Sequence, residues 1–391
     1  MTNKVTFYDT TLRDGEQTIG VNFSVEEKIA IAKGLDDYGV SAIEAGFPAA
    51  SQKDFNEVTR ISEVVDKAKV VGLARMVRHD INAVIEATKS AKYPMIHVFI
   101  ATSPIHREFK LHMTKKEILE KIKSDVTFTK QYIQDIVFSP EDATRTEPEF
   151  LVASVQTAID AGATMINIPD TVGYDTPEEY GEVFENLRQN IVGFDTVGWS
   201  THTHNDLGMA TANALAGIEH GATEIQGTIN GIGERAGNVD MIEAAAAIYV
   251  RREKFKAATD IVLSQSKAIS DIVSRATRMP VASNKPIMGR NAFAHESGIH
   301  QDGYLKNPET YEILKPEMVG ATATLPLGKL SGSHAVMSAL NHLGYHVTRD
   351  DMKAIFPIFK SVSEESDLIT DDQLKVIMQV VEEKEMVGNQ S

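Results

Sequence analysis

The feature that most constrains this chain is an alternation repeated eight times. Short runs rich in β-branched residues are each followed by a stretch of helical period. The runs begin at Val5 (VTFYDTTL), Ser41 (SAIEAGF), Lys69 (KVVGLAR), Met95 (MIHVFIAT), Asp135 (DIVFSPED), Thr164 (TMINIPDT), Gly198 (GWSTHTHN) and Glu224 (EIQGTING). Helix-length crossovers imply parallel pairing, because a tight turn cannot join two parallel strands. Ser24 with Glu27 reads as a capping box opening the first helix. Eight such units occupy about 250 residues, the span of one (β/α)8 TIM barrel. A doubly wound open sheet is the competing fold, and the count of eight favours the barrel. Beyond about residue 252 the strand signal fades into helix and loop. We place an α/β barrel at 1–275, a loop-rich linker subdomain at 276–330 and a helical subdomain at 331–391.

Composition narrows the chemistry. With 39 basic and 55 acidic residues the formal net charge is −16. A nucleic acid or an anionic membrane surface needs a positive field, so neither is an expected partner. The absence of cysteine removes disulfides, zinc–thiolate sites, iron–sulfur clusters and thiol nucleophiles. It fits a reducing compartment, and a cytoplasmic location is expected. The opening MTNKVTFYDT has no apolar h-region, so no signal peptide is read. No apolar run approaches the ~18 residues of a membrane span.

The reactive face of such barrels lies at the carboxyl ends of the strands, and the polar residues collect there. Arg13 and Asp14 follow the first strand, Glu44 lies on the second, Arg75 on the third, His97 on the fourth and Glu141 on the fifth. Asp170 and Thr171 end the sixth, His202 and His204 lie on the seventh, and Asn230, Glu234 and Asn238 lie on or after the eighth. His202 and His204 are two apart on a strand, so they point to one face. Strand 8 neighbours strand 7 and strand 1 closes the ring, so Asp14, the His pair and Asn238 converge. Two imidazoles, a carboxylate and an amide oxygen suit Mn²⁺, Mg²⁺, Zn²⁺ or Fe²⁺ and leave positions for substrate. The plainer alternative is a hydrogen-bonded polar core. Arg13 beside a metal stabilises a developing enolate or alkoxide, or else only orients a carboxylate. Glu141, set in S-P-E-D, is a general acid/base or a substrate-orienting acceptor, with ion pairing to Arg13 or Arg145 as the alternative.

Three weaker signals are discounted. GTINGIGERAGN contains G-x-G without G-x-x-G and follows the eighth strand, so it is no dinucleotide fingerprint. HESGIH (295–300) has one residue too many for H-E-x-x-H, and on a helix that spacing turns the two imidazoles about 140° apart. The segment reads as a loop, from which His300 can still reach a substrate. LGKLSGS resembles a phosphate loop only in its small residues.

DTTLRDGEQ (9–17), STHTHNDLG (200–208) and NGIGERAGN (230–238) together resemble the metal-dependent Claisen-condensing barrels that include the 2-isopropylmalate, homocitrate and citramalate synthases. HVFIATSPIH (97–106), FSPEDATRT (138–146), INIPDTVGY (166–174) and NAFAHESGIHQDG (291–303) are similar to the 2-isopropylmalate branch. The resemblance implies condensation of acetyl-CoA with 3-methyl-2-oxobutanoate and thioester hydrolysis, the entry to leucine synthesis. It implies metal ligation by Asp14, His202, His204 and Asn238, with Mn²⁺ first and Mg²⁺ or Zn²⁺ as alternatives, and activation by a monovalent cation. Arg13 would stabilise charge at the reacting carbonyl. Glu141, Thr171 and His97 would line the 2-oxo acid site, with Leu73 and Ser139 shaping its side-chain pocket. His300, in the linker that completes the site, would assist proton transfer in the partner subunit of a homodimer. A leucine-binding regulatory domain would begin about where this chain stops, so no inhibition by leucine is expected of it, whether the native protein lacks feedback control or the chain is a piece of a longer one. Open alternatives are pyruvate or 2-oxoglutarate as acceptor, a metal-dependent lyase, and a non-haem iron oxygenase.

Overall fold

The computed structural model describes residues 3–366 and 368–388. The chain divides into two compact units, Met1–Val281 and Ala282–Ser391. In the first, eight parallel strands among the described residues close a barrel. They are Thr6–Asp9, Ala42–Gly46, Lys69–Arg75, Pro94–Ala101, Asp135–Glu141, Met165–Asp170, Gly198–Thr203 and Glu224–Gly227, each paired with the next in sequence. The eighth pairs with the first, setting Thr6 beside Glu224 and Tyr8 beside Gln226. Every run read as a strand is one. A short parallel pair, Asn3–Lys4 with Ala257–Ala258, lies outside the barrel.

Side chains alternate across each strand, so register decides what fills the interior. Tyr8, Ala42, Val71, Met95 and Val137, with Met165 against them, form an apolar layer. Two residues further along the same strands come Glu44, Leu73, His97, Ser139 and Asn167, on the same face one layer nearer the carboxyl ends. The first helix, Val25–Tyr38, opens with the expected capping box of Ser24 and Glu27. Near its end Asp36 accepts hydrogen bonds from the backbone N–H groups of Asp66, Lys67 and Ala68 at 2.7–3.3 Å. That carboxylate fixes where the third strand starts.

In the second unit, helices Ser333–His342, Met352–Glu364 and Asp371–Gly388 surround a core that includes Val336, Leu340, Ile355, Phe359, Leu374 and Ile377. The expected loop at 295–300 needs correction. His300 lies in helix Gly298–Lys306 while His295 precedes it. The helical-spacing argument therefore does not apply to the pair, whose rings stand nearly perpendicular, 6.4 Å apart. Among the described residues no helix is long and apolar enough to cross a membrane.

Asp36→Ala should leave three backbone donors without their carboxylate, at a cost of about 1–3 kcal/mol. A lowered urea midpoint for barrel unfolding would report it; an unchanged midpoint would contradict this role.

Candidate metal centre and active site

The three segments expected to converge do so. The turn leaving the first strand carries Arg13 and Asp14 into a short 3₁₀ helix, Gly15–Gln17. The chain leaving the seventh strand makes a bridge between His204 and Asn238, which draws the loop after the eighth strand back over the barrel end. That loop needs its glycines. At Gly237, φ +88°, a Cβ would come 1.9 Å from the Gly231 carbonyl oxygen, and at Gly233 it would come 2.2 Å from Asn238 Nδ2. His202 Nε2 and His204 Nε2 face each other at 3.2 Å. They lie 3.7 and 3.9 Å from Asp14 Oδ2. Asn238 Nδ2 donates to Asp14 Oδ1 at 2.8 Å.

The donor set fits a divalent cation. All four residues are buried, and Asn238 Oδ1 has no hydrogen-bond partner. An orphaned buried acceptor beside a carboxylate and two imidazole nitrogens is costly unless a cation or water completes it. Burial, and then His204, push His202 down to about 3, and burial also lowers His204, so both imidazoles are neutral and able to ligate. Burial opposes ionisation of Asp14, but Arg13 and the imidazoles outweigh it and hold its carboxyl well below the usual range.

Beside this centre opens a pocket of about 310 Å³. Several of its lining residues belong to a continuous chain of hydrogen bonds that passes through the buried Glu44. Arg13 donates from Nη1 to Asp14 at 2.7 Å and from Nε to Glu44 at 2.8 Å. Glu44 Oε1 lies 2.7 Å from His97 Nδ1, and His97 Nε2 lies 2.6 Å from Ser139 Oγ. Asn167 Nδ2 donates to that same oxygen at 2.8 Å. Arg13 and His97 hold Glu44 down at about 2 against its burial, so it is a carboxylate. A carboxylate there requires a proton on His97 Nδ1. In the tautomer protonated at Nδ1, Nε2 accepts from the Ser139 hydroxyl. Donation thus runs from Asn167 through Ser139 and His97 to Glu44, which also accepts from Arg13 on its other oxygen.

Several expectations need adjusting. Glu141 pairs with neither Arg13 nor Arg145: both its oxygens accept from Lys110 Nζ, at 2.6 and 2.9 Å. Arg145 is taken by Asp142 instead. Arg75 leaves the pocket, drawn outward to Asp80 at 2.7 Å and over the Phe47 ring. Asn230 turns to Ser270, accepting from its hydroxyl at 2.6 Å. Asp170 accepts from the backbone N–H groups of Tyr174 and Asp175 and so braces a turn. Thr171 lies on the pocket wall, its hydroxyl accepting from Asp142 N. Leu73, His97, Ser139, Glu141 and Glu234 also line it. His300 lies in the second unit, its ring 4.4 Å from that of Tyr311. The sequence reading missed Asn167, Phe99 and Lys110, which line the pocket too. Counting inner-face positions by twos from Met165 and Met95 finds the first two; Lys110, in a π-helical turn at Arg107–Leu111, offers no such signal.

The HMGL-like family profile matches residues 4–273, and the homocitrate synthase post-HMGL domain-like profile matches residues 287–367. The 2-isopropylmalate synthase of Staphylococcus saprophyticus is 52% identical over 386 residues, covering 98% of this chain and 76% of that protein. The chain belongs to the 2-isopropylmalate synthase family. The Listeria monocytogenes and Streptococcus gallolyticus family members are 52% and 53% identical over 376 residues, 96% of this chain, and 73% and 72% of their own lengths. Among solved structures, hydroxymethylglutaryl-CoA lyase from Pseudomonas aeruginosa shares the fold at 18% identity, with a TM-score of 0.60 over 73% of this chain and 96% of its own. The HMG-CoA lyase of Brucella melitensis does so at 20% identity and TM-score 0.59, over 71% and 99%.

Two outcomes follow for this family member. Mn²⁺ titrated into metal-stripped protein should show, by electron paramagnetic resonance, one tight site that His202→Ala abolishes; wild-type binding by that variant refutes the centre. Glu44 is held below an ordinary carboxyl near 4.3, so its stabilisation is complete above that pH and is lost as pH falls toward 2. Glu44→Gln should flatten that acid limb in a plot of melting temperature against pH, and should lower kcat/KM about 10–100-fold by freeing Arg13 and His97.

Proposed function

We propose that the chain condenses acetyl-CoA with 3-methyl-2-oxobutanoate and hydrolyses the thioester, giving 2-isopropylmalate and free CoA. It is thus an acyltransferase at the first committed step of leucine synthesis. The observation that carries this reading is the buried Asp14–His202–His204–Asn238 set opening onto a pocket whose lining includes the apolar Leu73, Phe99 and Pro169. A divalent cation held by those four residues supplies, when bound, Lewis acidity toward a keto oxygen. Mn²⁺ is the cation we propose, with Mg²⁺ or Zn²⁺ as alternatives and a monovalent cation as activator.

The remaining work falls to the chain's own side chains. Arg13, locked by Glu44 and Asp14, presents a fixed positive charge where negative charge grows on the keto oxygen. His97, Ser139 and Thr171 supply the polar contacts that orient the 2-oxo acid. Leu73 and Phe99, with Pro169, give its branched side chain an apolar wall. Glu141, a carboxylate at the pocket, serves as the proton acceptor or donor. Overall, the acetyl methyl group loses one proton and forms a bond to the keto carbon. The former keto oxygen gains a proton, and water cleaves the thioester, so that CoA leaves as the thiol.

The wall also bears on the choice of acceptor. The cations that line the pocket are Arg13, Lys110 and Arg235, and each already pairs with a carboxylate of the chain. A second substrate carboxylate, as in 2-oxoglutarate, would find no uncommitted partner among them. We further propose a cytoplasmic homodimer in which His300, from the linker of one protomer, assists proton transfer in the barrel of the other.

Purified protein with Mn²⁺ should release CoA from acetyl-CoA only when a 2-oxo acid is present. Its kcat/KM should favour 3-methyl-2-oxobutanoate over pyruvate by about 10–200-fold, the discrimination an apolar pocket provides. Preference for pyruvate or 2-oxoglutarate would reassign the acceptor, and no CoA release with any would end the proposal. For the dimer, inactive His202→Ala and His300→Ala proteins co-refolded in equal amounts should recover about a quarter of wild-type activity, because half the dimers are mixed and each mixed dimer holds one intact site. No recovery would remove His300 from the partner's site.

A further inference from the structure

Beneath the turn that carries Arg13 and Asp14 lies a buried charge network that the proposed reaction does not use. Lys28, on helix Val25–Tyr38, is only 1% exposed. Its ammonium donates to Glu16 Oε2 and to Glu57 Oε2, both at 2.6 Å. Glu16 sits in the 3₁₀ turn two residues past Asp14, and its other oxygen accepts from the Phe23 N–H at 3.1 Å. Glu57 lies on helix Gln52–Val64 and is 2% exposed. Glu16, Asp54 and Glu57 bring carboxylate oxygens within 4.8 Å of one another, and the Lys28 ammonium contacts two of the three. None of these residues lines the pocket.

Stability does not account for such an arrangement. Desolvating an ammonium and its carboxylates costs about what their attraction returns, and apolar residues of similar size commonly do as well or better. What a buried ion pair does provide is geometry. This one ties the turn holding Asp14 to two helices at once.

We propose that Lys28 is a positioning residue for the metal centre, holding the Gly15–Gln17 turn through Glu16 so that Asp14 and Arg13 meet the His202–His204 pair. The inference rests on the assignment of Asp14, His202, His204 and Asn238 as metal ligands. It differs from a purely structural role in what it predicts for metal affinity.

The test is Mn²⁺ binding by the full chain, read by electron paramagnetic resonance beside circular dichroism and melting curves. Wild-type binding that His202→Ala abolishes establishes the centre itself; if wild type binds no Mn²⁺, that assignment fails and the positioning role falls with it, whereas an intact centre in the variants below overturns the positioning role alone. Lys28→Met/Glu57→Leu replaces the ion pair with apolar volume. It should melt within a few degrees of wild type yet bind Mn²⁺ about 10–100-fold more weakly, the usual effect of losing an outer support of a metal ligand. A folded double variant whose Mn²⁺ affinity stays within about twofold of wild type overturns the proposal. If that variant does not fold, Glu16→Gln decides: it keeps an acceptor for Phe23 N but loses the charge that holds Lys28. Weakened Mn²⁺ binding at unchanged melting temperature supports the positioning role, and unchanged binding overturns it.

Discussion

Closure of the strand ring is the constraint on which everything else here depends. Asp14 and Asn238 stand 224 residues apart in sequence and share a 2.8 Å hydrogen bond. They meet because the first strand pairs in parallel with the eighth, from Thr6–Glu224 to Asp9–Gly227. Parallel pairing all round sends every carboxyl end to the same rim. An open sheet with the same sequential strand order would leave the first and last at opposite edges, and a doubly wound one would not pair them either. Register then sorts the interior: an apolar layer around Tyr8 and Val71 carries the stability, and the layer above it is polar.

The polar layer carries an electrostatic load that would be prohibitive for isolated groups. It is tolerated because each charge has a geometric partner. Arg13 serves Asp14 and Glu44 through different edges of its guanidinium, a role that a single ammonium on a flexible stem fills less well. Glu44 then serves a second purpose, fixing the tautomer of His97, and His97 in turn orients Ser139. Five residues from five different strands or their loops thus share one set of proton positions, from Arg13 to Asn167. Rigidity of this kind is what a site needs when it must present fixed charge to a reaction rather than reorganise during it.

Much of this is legible in the residues alone, for reasons that can be named. A β-branched run followed by a helical repeat states strand and crossover, and eight repeats state closure. H-x-H states a shared face because strand side chains alternate with a period of two. What is not legible is anything set by competition between partners. Arg75 has the strand-end position of a site residue, yet the buried Asp80 five residues on takes its guanidinium outward. Asn230 lies in the same loop as Asn238, but its left-handed backbone, φ 63°, and Ser270 turn it elsewhere. Lys110 reaches Glu141 from a π-helical turn whose irregular pitch no periodic reading anticipates. Lys28 looks like an ordinary helix-surface lysine until Glu16 and Glu57 are seen to enclose it.

The buried charges also constrain which acid the site can accept. Arg13 contributes +1, Asp14 and Glu44 each −1, and His202 and His204 are neutral, so this set carries 1 − 2 = −1. A divalent cation held there brings the sum to +1. A 2-oxo acid with one carboxylate brings it to zero, whereas a dicarboxylic one would leave an unpaired negative charge against Leu73 and Phe99. In a medium of low polarizability such a residue of charge is expensive. On the proposed function, Leu73 and Phe99 would set acceptor size, and the carboxylates around Arg13 would set acceptor charge. A change of specificity toward a dicarboxylic acid would therefore require a new cation in the wall, not merely a wider pocket.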